Sequence, residues 1–269
     1  MRTLVVANHK GGVGKTAVAS LITHHLVATG RRVLAIDLDH QGNFTKPLRL
    51  CGLAILADVT ADRLLAGRAQ VPQGNLVVVG ASSDLLGLES RPERHNSFAT
   101  HFRDFLHEQS AKFDVCVVDT NPNPDIRLIS ALVSCDLVVM PIQLNQEAID
   151  GIGALLDHPR VGVKKVKAVL NPKLQLIGIL PNMVEPTPFQ RDNFKQIVEH
   201  HASLLIPLDP ARRQFACIPK RSAIAEAQSA GSLLWQMKKT AARDAWREIE
   251  PTIAGIANIV TESTAPHGA

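Results

Sequence analysis

The run TLVVAN (3–8) leads at once into HKGGVGKT (9–16), which opens KTAVASLITHHLVATG (15–30). That order leaves few folds open. A short β-rich apolar run has to end in a glycine-rich turn, and the turn has to open a helix whose apolar residues recur at helical spacing until Gly30 caps it. Gly11, Gly12 and Gly14 let the backbone wrap closely around an anion with its N–H groups inward, and the helix adds its positive end. Gly14-Lys15-Thr16 completes the phosphate-loop pattern G-x-x-x-x-G-K-[ST], in which Lys15 reaches the β- and γ-phosphates and the Thr16 hydroxyl ligates Mg²⁺. One position is unusual: His9 stands where the first glycine belongs, followed by a second lysine, Lys10.

Further apolar runs lie at 31–39, 76–80, 113–120, 135–142 and 174–182, and helical patterns near 92–109, 125–134, 146–157, 187–201 and 222–230. A last helix is expected from about 232 to 249, stopped by Pro251. Continuous apolar strands alternating with helices predict an α/β fold: a doubly wound, mostly parallel sheet with helices on both faces. With no low-complexity linker and no fixed repeat, residues 1–269 read as a single domain. Ligands of such sheets sit at the carboxyl ends of the strands, where Asp37, Asp39, Asp119 and the glycine loop all fall.

FDVCVVDT (113–120) delivers Asp119 to the metal side of the phosphate loop, as a Walker B strand does. In LAIDLDHQGN the strand is expected to end near Asp37, placing that carboxylate with the metal and leaving Asp39 on a mobile loop. From there Asp39 could orient an attacking water or act as its base.

Composition removes several alternatives. No apolar run reaches the roughly eighteen residues a membrane span needs, and the N-terminus has no secretory pattern. Cys51, Cys116, Cys135 and Cys217 lack C-x-x-C spacing and read as reduced cytosolic thiols. Net charge is +4 and the isoelectric point about 9.0, which permits nucleic-acid binding.

Taken together, K-G-G-V-G-K-T (10–16), D-L-D-H-Q-G-N (37–43), DTNPNPD (119–125), VVMPIQ (138–143), LNPKLQLIGILPNMVEPT (170–187) and IPKRSAIAEAQSAG (218–231) resemble the ParA/MinD group of deviant Walker ATPases, over roughly residues 2 to 250. The resemblance implies an ATP- and Mg²⁺-dependent sandwich homodimer. In such a dimer Lys10 is lent across the interface to the phosphates of the other subunit's ATP. It places Gly11, Gly12, Val13, Gly14, Lys15, Thr16 and Ala17 around the phosphates, with Asn182 and Pro219 matched near the adenine. Three departures stand out: Ala17 replaces a frequent Ser or Thr, TNPNP replaces a tighter proline turn, and Asn145 replaces an acidic residue, with Glu147 two positions on.

The branch the resemblance favours is a ParA-type partition ATPase of plasmids or chromosomes. Its ATP-bound dimer binds DNA without sequence preference, and a ParB-type centromere-binding protein stimulates its weak hydrolysis. The expected location is cytoplasmic, on the nucleoid. Lys220 and Arg221 are the first DNA-contact candidates, with Arg191, Lys195, Arg212, Arg213, Lys238 and Lys239 behind them. With the loop starting at residue 8, no N-terminal helix-turn-helix domain is expected. The alternative, a MinD-like membrane-positioning ATPase, needs a terminal basic amphipathic helix. The segment after Arg247 has no Lys or Arg, and its Ile253, Ile256, Ile259 and Val260 are expected to pack on the body. An autokinase of this fold needs tyrosines, and the chain has none.

Overall fold

The computed structural model describes residues 1–67 and 69–262. Its strands are β1 (Arg2–Val6), β2 (Val33–Asp37), β3 (Ile55–Leu56), β4 (Leu76–Val79), β5 (Val115–Asp119), β6 (Leu137–Ile142), β7 (Gln175–Val184), β8 (Pro207–Asp209), β9 (Gln214–Phe215) and β10 (Ile218–Pro219). β8 and β9 form a small antiparallel hairpin, while the other eight make one sheet in the order β10-β7-β6-β1-β5-β2-β4-β3. Every pairing in that sheet is parallel. β5 lies between β1 and β2, with Asp119 level with Val6 on one side and Asp37 on the other. The next strand, β6, lies on the far side of β1, so the winding reverses there and opens the crevice in which such sheets bind ligands.

The helices are α1 (Lys15–Ala28), α2 (Thr45–Leu50), α3 (Ala61–Leu65), α4 (His95–Glu108), α5 (Ile126–Ser134), α6 (Gln146–Asp150), α7 (Ile152–Asp157), α8 (Val163–Val169), α9 (Pro188–His201), α10 (Ser222–Ala230) and α11 (Thr240–Thr261). Because strand side chains alternate, the sheet feeds two cores. Leu4 and Val6 face α1, α10 and α11 on one side; Val5 faces α4, α5 and α7 on the other. α1 ends as its sequence demands: Gly30 adopts φ +83°, and Arg31 N–H donates to the Leu26 carbonyl.

The expected helix over 232–249 is corrected by the structure. A short turn at Leu234–Gln236 is followed by α11, which starts at Thr240 and runs through Pro251 to Thr261. Proline costs a helix interior its N–H and crowds the carbonyl four residues back. Here Pro251 is exposed, while Ile249, Ile253, Ile256 and Val260 are completely buried at helical spacing. Burying one such side chain contributes about 1.5–3 kcal/mol, so four of them outweigh the ~3 kcal/mol that an interior proline costs. The expected helix over 146–157 is divided at Gly151 into α6 and α7. The short α2, α3 and α8 and the two-residue strands β3, β9 and β10 had no periodicity long enough to announce them.

Candidate nucleotide site

Above the carboxyl ends of β1, β2 and β5 lies a cavity of 490 Å³ lined by Gly11, Gly12, Gly14, Lys15, Thr16, Ala17, Asp39, Asn43 and Lys46. Pro47, Thr120, Pro122, Met183, Gln228 and Ser229 complete its wall. The size suits a nucleotide-sized ligand.

The loop is held from beneath. Asn8, buried, donates from its Nδ2 to the Pro141 carbonyl at 2.7 Å and accepts the Lys10 N–H at 2.8 Å. Asn182 donates to the carbonyl of buried Val13 at 2.8 Å, and Gln143 to that of Gly12 at 3.1 Å. Asn182 thus shapes the loop, whereas Pro219, in β10 beside Val184, stands outside the cavity wall. Gly14 is required twice over: its φ is +84°, and a Cβ there would lie 2.2 Å from Asn182 Nδ2.

Lys15 is buried inside the cavity, its Nζ 3.2 Å from the Lys10 carbonyl oxygen. Burial lowers its pKa, opposed by Asp119 and Asp39. Lys10 behaves differently. It does not line the cavity; its side chain is 39% exposed at the mouth, with Nζ 2.9 Å from Glu147 of α6. His9, beside it, stacks at a tilt on His158, ring centroids 5.3 Å apart. Burial, then the His158 and Lys15 charges, depress the His9 pKa.

Thr16 donates its hydroxyl to Asp119 Oδ2 at 2.7 Å. Asp119 is fully buried, and its Oδ1 has no partner among the described residues. Burial and the neighbouring Asp37 raise its pKa well above the usual carboxylate range, against the Thr16 hydroxyl and Lys15. A hydroxyl and an orphaned buried carboxylate oxygen side by side are the hard oxygen donors a magnesium ion takes, so these residues fit that ion.

Asp37 is also buried, but its oxygens are occupied. Oδ1 accepts from Asp39 N–H, and Oδ2 from Phe44 N–H, Thr45 N–H and the Thr45 hydroxyl. Burial pushes its pKa up to about 6 despite those bonds. The loop expected to be mobile is thereby pinned at both ends to one carboxylate. Asp39 projects from it into the cavity, 3.3 Å from His40 Nδ1. His40 in turn meets Arg127, which is paired with Asp125, and Asp125 accepts from Asn121 at 2.9 Å. The TNPNPD segment therefore buttresses the Asp39 loop, a role its departure from the tighter proline turn concealed. Lys46 in the cavity wall was also missed in the sequence, although it stands three residues after Asn43.

Lys220 and Arg221 are exposed and each is engaged: Lys220 with Glu185 at 2.8 Å, Arg221 through two nitrogens with Glu248. Lys195, Arg212 and Lys239 likewise sit beside Asp192, Asp209 and Glu226.

A parallel sheet, a glycine loop opening a helix, and a threonine–aspartate pair at the strand ends define a P-loop nucleotide-binding protein. Residues 1–176 match the family model described as AAA domain, AAA_31. The chain is 31% identical over 263 residues to Protein IncC of Escherichia coli, covering 93% of this chain and 67% of that one. It is 30% identical over 249 residues to the chromosome-partitioning ATPase Soj of Thermus thermophilus, covering 89% and 90%. Among solved structures, cobyrinic acid a,c-diamide synthase of Mycobacterium smegmatis, with bound ATP analog and magnesium, superimposes with a TM-score of 0.68 at 27% identity, covering 87% of this chain and 95% of that one. The chain belongs to the ParA/MinD-type ATPase family.

Proposed function

We propose that this chain is a ParA-type partition ATPase that closes as a sandwich dimer around two ATP molecules. The observation that carries this reading is the division of labour between the two lysines: Lys15 fills its own cavity, while Lys10 stands at the mouth, outside the cavity wall, on an exchangeable surface ion pair. An exposed pair of that kind is worth about 0–1 kcal/mol, so Lys10 is easily released from Glu147. A triphosphate enclosed between two subunits, where solvent no longer screens it, would attract a cation far more strongly.

In this reading Thr16 and Asp119 hold Mg²⁺, and Asp37 adds charge beside them while holding the loop. Held there, the ion would supply positive charge against the charge that develops on the phosphates. Lys15 and the backbone N–H groups of Gly11, Gly12, Val13 and Gly14 bind the phosphates, and Asp39 orients the attacking water. The ATP dimer binds DNA without sequence preference in the cytoplasm, and a ParB-type protein accelerates hydrolysis and release. The likeness to the chromosome-partitioning ATPase Soj supports this branch. A MinD-like membrane role is less well supported, because Ile253, Ile256 and Val260 are buried in α11 and turned away from any lipid.

The test is light scattering of Asp39→Ala with ATP and magnesium, alone and combined with Lys10→Ala. Dimers in the first and single subunits in the second are expected, with ADP affinity equal in both. Single subunits in both would overturn the reading.

A further inference from the structure

Non-specific DNA binding draws on cations free to replace the counterions of the phosphate backbone. Lys220 and Arg221, the positions the family segment points to, are each beside a carboxylate. Of the other candidates, Arg191, Arg213 and Lys238 have no ion-pair partner among the described residues, but the densest run of cations is elsewhere. From His158 to Val184 the chain has five cations, Arg160, Lys164, Lys165, Lys167 and Lys173, and no Asp or Glu, which exceeds the whole chain's net charge of +4. Arg160 is paired with Glu89 and Lys164 with Asp157. Lys165, Lys167 and Lys173 are exposed and have no ion-pair partner among the described residues.

Resting on the partition reading, we infer that this surface, α8 and the hollow beside it, is where the protein meets duplex DNA. α8 buries Val163 and Val166 against the body and turns Lys165 and Lys167 outward. Immediately after it, Lys173 enters the wall of a hollow of 430 Å³ that also receives Arg103 and His107 from α4. Asp136, the single carboxylate in that wall, is engaged by the N–H and hydroxyl of Thr3, at 2.9 and 2.7 Å. Asp104 and Glu108 of α4 line a different hollow, beside Leu64. The result is a strip of cations along one edge, the pattern a phosphate backbone follows.

The place is as informative as the charge. Thr3 is the second residue of β1, and Asp136 and Lys173 precede β6 and β7, so the hollow at which the strip ends lies at the amino ends of the strands, opposite the nucleotide cavity. Two copies closing over their nucleotides would leave both strips facing outward, and the dimer would gain from holding two sites at once. Val169 and Leu170, 70% and 52% exposed, border the strip. They do not make it a lipid anchor: an interfacial helix needs a continuous apolar face, and that of α8 is spent on Val163 and Val166.

The experiment is anisotropy titration of a fluorescent random-sequence duplex with ATP and magnesium, at several salt concentrations. It compares the wild type with Lys165→Glu/Lys167→Glu/Lys173→Glu, with the corresponding triple Arg variant, and with Lys220→Glu/Arg221→Glu. The triple Glu variant should lose at least tenfold in affinity, and its salt slope should fall by about 2–3, close to 0.9 per lost phosphate contact. ADP affinity should be unchanged, and the triple Arg variant should bind like wild type. Normal DNA binding by the triple Glu variant, with loss in the Lys220/Arg221 variant, overturns this surface while sparing the partition reading. A wild type that forms ATP dimers but binds no duplex overturns both. Binding by the strip to anionic phosphatidylglycerol vesicles in preference to DNA also overturns the inference.

Discussion

Asp119→Asn tests whether the buried carboxylate at the candidate metal position carries an electrostatic cost. The carboxylate is wholly buried, keeps one oxygen without a partner among the described residues, and lies beside Asp37. Its folded pKa is raised, so the folded state holds the proton more tightly than the unfolded chain does. The stability this contributes is present below the ordinary carboxylate pKa and is lost as pH rises through the folded value. Asn preserves the shape and the acceptor for Thr16 but cannot ionise. The charge it removes is worth about 1–3 kcal/mol on the scale of an unsatisfied buried polar group. In a chain of this size that is a gain of roughly 2–6 °C in Tm.

The raw pH profile would mislead, because buried His24, its pKa lowered to about 4, loses stability in the other direction as pH falls. The difference between variant and wild type cancels His24. Differential scanning fluorimetry without nucleotide should show Asp119→Asn gaining over wild type as pH rises from 5 to 8.5, with the smallest gain at the acid end. Magnesium added with ADP should raise the Tm of the wild type and have little effect on the variant. A difference that is flat with pH, or that falls as pH rises, would refute the electrostatic account.

Gly14→Ala forces a Cβ to within 2.2 Å of Asn182 Nδ2 at a φ of +84°, so fluorescent-nucleotide titration should find ATP and ADP binding abolished. Asp39→Ala should bind ATP and dimerise but release phosphate at least a hundredfold more slowly, on the scale of a positioned general base or water-orienting group; normal turnover in a phosphate-release assay would remove Asp39 from the mechanism. Lys15→Ala should lose ADP and ATP binding together, unlike Lys10→Ala. Pro251→Ala should stabilise the protein by about 1–3 kcal/mol, since a proline in a helix interior costs up to that much; chemical denaturation measures it, and a loss would mean that Pro251 sets the helix's path.

The loop, the strand-end aspartates and the parallel α/β fold were legible because each is written locally. Glycines at 11, 12 and 14 followed by Lys15 and Thr16 dictate backbone shape within nine residues, and apolar runs record burial on both faces of a sheet. Contacts between residues distant in the chain left no such record. Nothing near Lys10 announces Glu147 as its partner, and nothing near Asp39 announces the His40–Arg127–Asp125 buttress. Nor does IPKR reveal that both of its cations are already matched by Glu185 and Glu248.

Pro251 marks the boundary most plainly. Local propensity ends a helix there; tertiary burial of Ile249, Ile253, Ile256 and Val260 carries it on for ten more residues, to Thr261. Short-range chemistry in the chain determines the phosphate loop and the class of fold. Which charges are free and which are spent is decided only when packing brings distant side chains together, because an ion pair or a buried face depends on neighbours in space.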